Sequence, residues 1–406
     1  MGRKPDVEDI ENLYQGALAL HARGEHRQAV HLYCRVLDHH RGSAEIFYNL
    51  GLAWFELGCY PEAIEACRRA AALDPEDGDI FFNLGLACKM NAQYDEAEEA
   101  YLTALSLSDD RTDILYNLGC CYQDAGHVDQ ACLVYDHLLE LVPDHLPALN
   151  NLAYLLHLRE EYDAARELYA RILALDPDRQ SAQHMFATLS GETTKAPPPE
   201  YVRELFDRYS DRFEESLVNE LEYHTYCILR QAVEGVTESR RRFNHALDLG
   251  CGTGLAGEAF RPLCSRMTGV DLSENMLARA AEKNLYNELH CAEIIDFLQC
   301  TNTEYDLIVA ADVLPYLGDL APLFRAAAEQ AAPGALFCLS SEGCDIHPWE
   351  LRVTGRYAHH PDYLAGTALR NDWLVLERFT ANIRRENNAW INGTIFVFGR
   401  NETNRA

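Results

Sequence analysis

Small and bulky residues alternate down the first half of the chain with a long, regular beat. Alanine recurs at 29, 63, 97, 131 and 165, a constant step of 34 residues. Five copies aligned on starts at 10, 44, 78, 112 and 146 place Ala17, Gly51, Gly85, Gly119 and Ala153 in one column, with Tyr33, Cys67, Tyr101, Tyr135 and Tyr169 in another. A period of this length predicts helix pairs stacked copy upon copy, with small residues where paired helices touch and the larger column filling the space between copies. Pro75, Pro143 and Pro177 fall where a second helix must stop, because proline cannot continue it. Residues 180–190 read as one further helix, a cap over the apolar face of the last copy.

The pattern then changes. Residues 190–199 combine turn formers with three prolines, so neither a helix nor a paired strand continues through them. The sequence therefore divides into a helical array over 10–190, a linker over 191–200 and a second domain over 201–400. Val202, Leu205, Phe206, Tyr209, Phe213, Leu217 and Leu221 recur every three or four positions, which predicts amphipathic helices placed to cover a pocket. From Ala246 onward short apolar runs (246–249, 267–270, 305–310, 335–339, 374–377 and 394–397) alternate with helical stretches. Alternation of that kind predicts a parallel sheet with helices on both faces and a ligand at the carboxyl ends of its strands.

Composition narrows the partners. The 406 residues are 48% hydrophobic, ordinary for globular protein, and carry a net charge of -29. That charge opposes nucleic acid and anionic membrane, both of which are gripped by Lys and Arg. The fourteen cysteines are scattered, with no CxxC and one adjacent pair, Cys120-Cys121. This pattern lacks the spacings of a metal site or a redox dithiol. With no signal peptide and no long apolar run, a cytoplasmic protein with reduced thiols is expected.

The five copies resemble the tetratricopeptide family, whose first helices line a concave groove that commonly holds peptides. On that likeness Asn49, Asn83, Asn117 and Asn151, with Gln15 in the first copy, form a carboxamide ladder able to grip a peptide backbone. Tyr48, Phe82 and Tyr116 stand one residue earlier. Asparagine at this position also serves to bond a neighbouring helix, and repeats of this family also support self-association. A protein or peptide client and a homodimer are thus both open.

The first strand of the second domain runs into Asp248-Leu-Gly250-Cys251-Gly252-Thr-Gly254, and Asp271 follows at a distance suited to ribose hydroxyls. Dinucleotide-dependent dehydrogenases use a similar glycine turn, but Asp248 within the string suits an ammonium group and would repel a pyrophosphate. The string resembles motif I of class I S-adenosylmethionine-dependent methyltransferases. Residues 201–213 and the domain behind them are similar to quinone-biosynthesis methyltransferases, to malonyl-carrier-protein methyltransferases and, more closely, to bacterial methyltransferases that carry tetratricopeptide repeats in front. The resemblance implies a Rossmann-like α/β fold with S-adenosylmethionine as cofactor. It assigns the methionine part to Asp248, Gly250, Cys251, Gly252 and Gly254, the ribose to Asp271, with Leu272 and Met276 following, and the adenine to Ala292 and Glu293. Ala311-Asp312-Val313-Leu314 falls where acceptor and methyl meet, and Tyr209 and Phe213 belong to the cover.

Beyond motif I, His359 is the candidate base, with Tyr316 a second catalytic candidate. Arg356, Tyr357, Tyr363 and Arg385 are substrate-binding candidates, Arg356 as an anchor for an anion. The reading is a methyltransferase whose repeats recruit a protein or peptide. Two alternatives stay open: a small-molecule O- or C-methyltransferase whose repeats serve assembly, and an interaction scaffold with a non-catalytic cofactor domain.

Overall fold

The computed structural model of the chain describes residues 7–39, 43–209, 221–237, 241–386 and 389–401. Two compact units account for it, Met1–Leu175 and Asp176–Ala406.

The described part of the first unit is five helix pairs: α1 (Val7–Ala22) with α2 (His26–His39), α3 (Ala44–Glu56) with α4 (Tyr60–Leu73), α5 (Gly78–Met90) with α6 (Tyr94–Leu107), α7 (Thr112–Asp124) with α8 (Val128–Leu141), and α9 (Leu146–Leu158) with α10 (Tyr162–Leu175). The two columns of the sequence meet in space. A Cβ on Gly85 would sit 2.7 Å from the Tyr101 ring, and one on Gly119 would sit 2.5 Å from the Tyr135 ring. Gly51 faces Cys67 in the same way, at 2.7 Å from its Sγ. Glycine is required here because the large residue of the second helix fills the place of a side chain on the first. Ala29, Ala63, Ala97, Ala131 and Ala165 are all fully buried.

The second unit holds a seven-stranded sheet in the order β3-β2-β1-β4-β5-β9-β8. Its strands are β1 (Phe243–Leu249), β2 (Cys264–Asp271), β3 (Glu288–Cys291), β4 (Tyr305–Ala310), β5 (Ala331–Glu342), β8 (Trp373–Glu386) and β9 (Ala389–Arg400). A two-stranded ribbon, β6 (Trp349–Leu351) with β7 (Tyr357–His359), follows β5. Strands β1 to β5 of the large sheet pair in parallel, and β9 runs antiparallel to both of its neighbours. Period-2 alternation separates two apolar layers: Leu247, Ile308 and Phe337 enter one, Ala246, Leu307 and Leu336 the other. Strand order reverses at β1, which opens a crevice at its carboxyl end.

Three strands escape the hydrophobic pattern. Strand β3, Glu-Leu-His-Cys, is too short and polar to stand out, while β6 and β7 are three residues each. Helix α11 (Gln180–Leu189) makes its polar contact within the second unit, where the buried His184 ring lies 3.4 Å from the Gly355 carbonyl and 4.6 Å from the Tyr201 ring. The residues beyond it are bound in as a strap: Lys195 O accepts from Asp319 N at 2.9 Å, and Thr194 shares a hydrogen bond with Tyr357. Helices α12 (Pro199–Tyr209) and α13 (Thr225–Val236) complete the approach to β1. Phe213 lies outside the described residues, as does the side chain of Tyr209.

Candidate functional site

Gly250, Gly252 and Gly254 all adopt left-handed backbone, with φ of 65°, 52° and 94°. Any other residue would be strained at these angles. Gly250 is doubly constrained, since a Cβ there would meet Val313 at 2.6 Å. The turn after β1 therefore lies directly against the segment that follows β4. Asp271 ties the turn to β2. Its Oδ2 accepts from Gly252 N at 2.9 Å and its Oδ1 from Ser273 N at 2.9 Å. Burial raises the Asp271 pKa, and those amide bonds oppose the rise. Leu272 N also bonds the carboxylate, and what accepting capacity remains is available to a ligand hydroxyl. Ser273 Oγ in turn donates to Asp207 at 2.5 Å, which brings α12 onto the loop after β2. On the other side of the crevice Phe206 of the same helix meets the Tyr316 ring edge-on at 5.1 Å. Helix α12 thus touches both the loop after β2 and the segment after β4.

Asp248 shares the buried face of Ala246 and is fully enclosed. The Tyr286 hydroxyl donates to its Oδ2 at 2.7 Å, while Oδ1 has no partner among the described residues. Thr253 Oγ1, in the same turn, is also buried and unmatched. Burial pushes the Asp248 pKa from 3.8 to about 7; the Tyr286 bond opposes this and the Asp271 charge adds to it. An orphaned buried carboxylate oxygen under a glycine turn fits a ligand carrying an ammonium group. The S-adenosylmethionine implied by the motif has that group. Dinucleotide phosphates do not.

The other cofactor candidates divide. Cys251 and Met276 are buried, so they shape the turn and its neighbouring helix from within. Leu272, Ala292 and Ala311 are partly exposed along the strand ends. Glu293 caps helix Ile294–Cys300, its Oε2 accepting from Ile295 N at 2.8 Å and Asp296 N at 2.9 Å. Only its other oxygen has capacity for an adenine amino group.

On the acceptor side the structure relocates several expectations. His359 is 1% exposed, with one ring nitrogen 3.2 Å from Ser341 Oγ and the other 3.0 Å from the Gly318 carbonyl. Burial lowers its pKa from 6.5 to about 4. A base needs a free nitrogen that faces substrate, so the geometry gives His359 a packing role instead. Tyr363, whose hydroxyl donates to Asp319 at 3.0 Å, stacks beside it, and Tyr357 is fully buried against the strap. Arg356 is paired with Glu386 at 3.4 Å and Arg385 with Glu222 at 2.8 Å, so neither stands ready for an anion. Tyr316 does reach the crevice wall; burial first, then Asp312, raises its pKa, and Arg356 lowers it.

The carboxamide ladder is tied to its own chain. Nδ2 of Asn49 donates to Glu45 O at 2.9 Å and to Tyr14 OH at 3.1 Å; Asn83 repeats this with Asp79 O and Tyr48 OH at 2.8 and 3.1 Å. Asn117 donates to Asp113 O at 2.9 Å, and Asn151 to Tyr135 OH at 3.1 Å. In all four the amide nitrogen is thus engaged within the repeats. Among the described residues no helix is long and apolar enough to cross a membrane, and no cluster of His, Cys, Asp or Glu could hold a metal ion.

Comparison with known proteins agrees with this geometry. A methyltransferase-domain family profile matches residues 247–337, and tetratricopeptide-repeat profiles match 14–78, 116–179 and 66–99. The chain joins tetratricopeptide repeats to an S-adenosylmethionine-dependent methyltransferase domain. Among curated proteins, a ubiquinone biosynthesis O-methyltransferase of Hydrogenovibrio crunogenus is 33% identical over 92 residues, 22% of this chain and 38% of that protein. Nodulation protein S of Rhizobium tropici is 33% identical over 117 residues, 27% and 48%. The chain thus spans less than half the length of either relative. The crystal structure of the N-methyltransferase NodS from Bradyrhizobium japonicum, with S-adenosylhomocysteine, is 19% identical and covers 49% of this chain and 98% of its own, with a TM-score of 0.40.

Proposed function

We propose that this protein transfers the methyl group of S-adenosylmethionine to an acceptor on a protein or peptide client that its repeats recruit. The observation that carries the methyl-transfer reading is Asp271, which braces the glycine turn through Gly252 N while keeping accepting capacity for a ribose hydroxyl. Asp248, the glycine turn and Asp271 would hold the cofactor, which would supply an activated methyl group for the acceptor's lone pair, the carbon–sulfur electron pair returning to sulfur. The protein's contribution is alignment and dryness. Asp271 orients the ribose, the left-handed glycines let the backbone come close, Asp248 offers its unmatched oxygen to the ammonium, and α12 excludes water through Phe206 against Tyr316.

Charge supports a client rich in lysine and arginine. Glu11, Glu45, Asp79 and Asp113 are exposed and recur at the same 34-residue step, each four positions before a carboxamide of the ladder. They make a strip of acceptors suited to cationic side chains. The names of the matched relatives favour a second reading, a small-molecule acceptor with the repeats used for assembly, a homodimer included. The two part in one experiment: methyl-labelled S-adenosylmethionine is incubated with the protein and a cell extract, Asp248→Ala serves as control, and macromolecules are separated from metabolites and both counted. Label in protein supports the recruiting arm; label confined to metabolites overturns it.

A further inference from the structure

Asp312 is the second residue beyond β4, in the stretch expected to lie where acceptor and methyl meet. It holds a left-handed backbone, φ 59°, a conformation that costs a non-glycine residue energy and persists only where its surroundings enforce it. Its amide donates to Ser340 Oγ at 3.0 Å. Its neighbour Val313 packs on Gly250, so the backbone at Asp312 lies one residue from the contact with the glycine turn, and its carboxylate is partly exposed.

Arg384 grips that carboxylate from below, Nη1 donating to both oxygens at 3.0 and 3.3 Å. Arg384 is 2% exposed, and its Nη2 donates to Glu342, itself 3% exposed. Arg352 pairs with the other Glu342 oxygen at 3.2 Å, and Arg356 with Glu386 at 3.4 Å. Three guanidinium groups are thus answered by three carboxylates. Of these, Asp312 remains 24% exposed, and each of its oxygens retains a lone pair.

Tyr223 lies across Arg384. Two hydrogen bonds bracket the pair, Arg385 N to Leu221 O at 2.7 Å and Thr225 Oγ1 to Ile383 O at 2.9 Å. Tyr223 is 5% exposed, and burial, then the Asp312 charge, keeps its phenol protonated. The segment after β4 thus presents a partly exposed carboxylate near a protonated phenol, and the arginines behind it are ion-paired, Arg384 keeping only its Nε unmatched among the described residues. A carboxylate acceptor would face the Asp312 carboxylate, with the arginines behind it already ion-paired. An N–H or O–H group would meet an acceptor oriented by Arg384.

We infer that Asp312 receives the N–H or O–H of the methyl acceptor, and that the atom methylated is a nitrogen or hydroxyl oxygen of a neutral or cationic group. Arg384 is the positioning residue that fixes the carboxylate, with the Tyr223 phenol near it. The assignment rests on the methyl-transfer reading above and adds the acceptor class to it.

The test uses the full chain, methyl-labelled S-adenosylmethionine and a cell extract, with products divided into alkali-stable label and label released as methanol. Carboxyl methyl esters hydrolyse in alkali, whereas N-methyl and ether O-methyl groups survive. The expected result is alkali-stable label, reduced about tenfold or more in Asp312→Asn through loss of one charge-assisted hydrogen bond, with calorimetric affinity for S-adenosylhomocysteine unchanged. Asparagine tolerates left-handed backbone, so this variant preserves the turn. If it nevertheless loses S-adenosylhomocysteine binding, Tyr223→Phe decides in its place, with reduced transfer supporting the assignment and wild-type transfer overturning it. Label released as methanol, or wild-type transfer by Asp312→Asn that still binds S-adenosylhomocysteine, overturns the assignment while leaving methyl transfer intact. No label at all from wild-type protein that binds the cofactor overturns methyl transfer itself, and this assignment with it.

Discussion

The Tyr286 hydroxyl donates to Asp248 Oδ2 at 2.7 Å from inside a cage of glycines. A Cβ on Gly254 would come within 3.3 Å of the Tyr286 ring, one on Gly269 within 3.0 Å, and one on Gly257 would collide with the hydroxyl. Glycine in this region therefore serves two ends: backbone freedom in the turn, and room beneath it for the ring that holds Asp248. Tyr286→Phe leaves a buried carboxylate without a donor. The expected cost is about 1–3 kcal/mol of stability, with weaker S-adenosylmethionine binding, read by thermal unfolding and calorimetry. Unchanged values in both would remove Tyr286 from the site.

Asp248 also sets a pH dependence. In the unfolded chain its carboxyl ionises near 3.8, whereas burial raises it to about 7 in the fold. Between those values the folded protein holds the extra proton, so this group's contribution makes stability fall as pH rises from 3.8 to about 7 and level off above. A cationic ammonium prefers the ionised form, so cofactor affinity should rise with pH through the same window. Melting temperature and affinity measured across it should lose both slopes in Asp248→Asn.

His359 contributes with the opposite sign. Its pKa falls from 6.5 to about 4 on folding, so the unfolded chain takes the proton first. The stability it contributes is present above 6.5 and is lost as pH drops from 6.5 to about 4. His359→Gln should reduce this acid loss of melting temperature. The pH profile of turnover above 6.5 should be the same in both proteins, and a changed profile would restore His359 to the chemistry.

Much of this architecture is legible in the sequence because it is periodic or local. The Gly85 and Tyr101 columns predict a packing contact that depends only on the 34-residue step, and the run from Asp248 to Gly254 announces its own turn. What escapes is long-range. Asp312, Glu342 and Arg384 come from the loop after β4, from β5 and from β8, and no spacing links them. Tyr286 sits in an unremarkable loop, and its meaning appears only when Gly254, Gly257 and Gly269 close round it. The histidine at 359 and the arginines at 356 and 385 are the right residue types for catalysis and anion binding. Burial and ion pairs, which composition does not reveal, turn them to other work.

The acidic strip of the repeats gives a further outcome. Replacing Glu45, Asp79 and Asp113 together with Gln, Asn and Asn should raise the Michaelis constant for a lysine-rich client and weaken its dependence on salt. Cofactor affinity should stay as it was. Turnover kinetics at two ionic strengths check this, and an unaltered Michaelis constant would move client binding away from the strip.

The account depends most on the cofactor grip of Asp271, whose carboxylate joins Gly252 N to Ser273 N at 2.9 Å each. The decisive measurement is a calorimetric titration of the full chain and of Asp271→Ala with S-adenosylmethionine. The expected result is binding by the wild type that weakens by about 1–3 kcal/mol in the variant, through loss of charge-assisted hydrogen bonds. Equal affinity in the two proteins, or no binding by the wild type, would contradict the assignment of this crevice as the cofactor site.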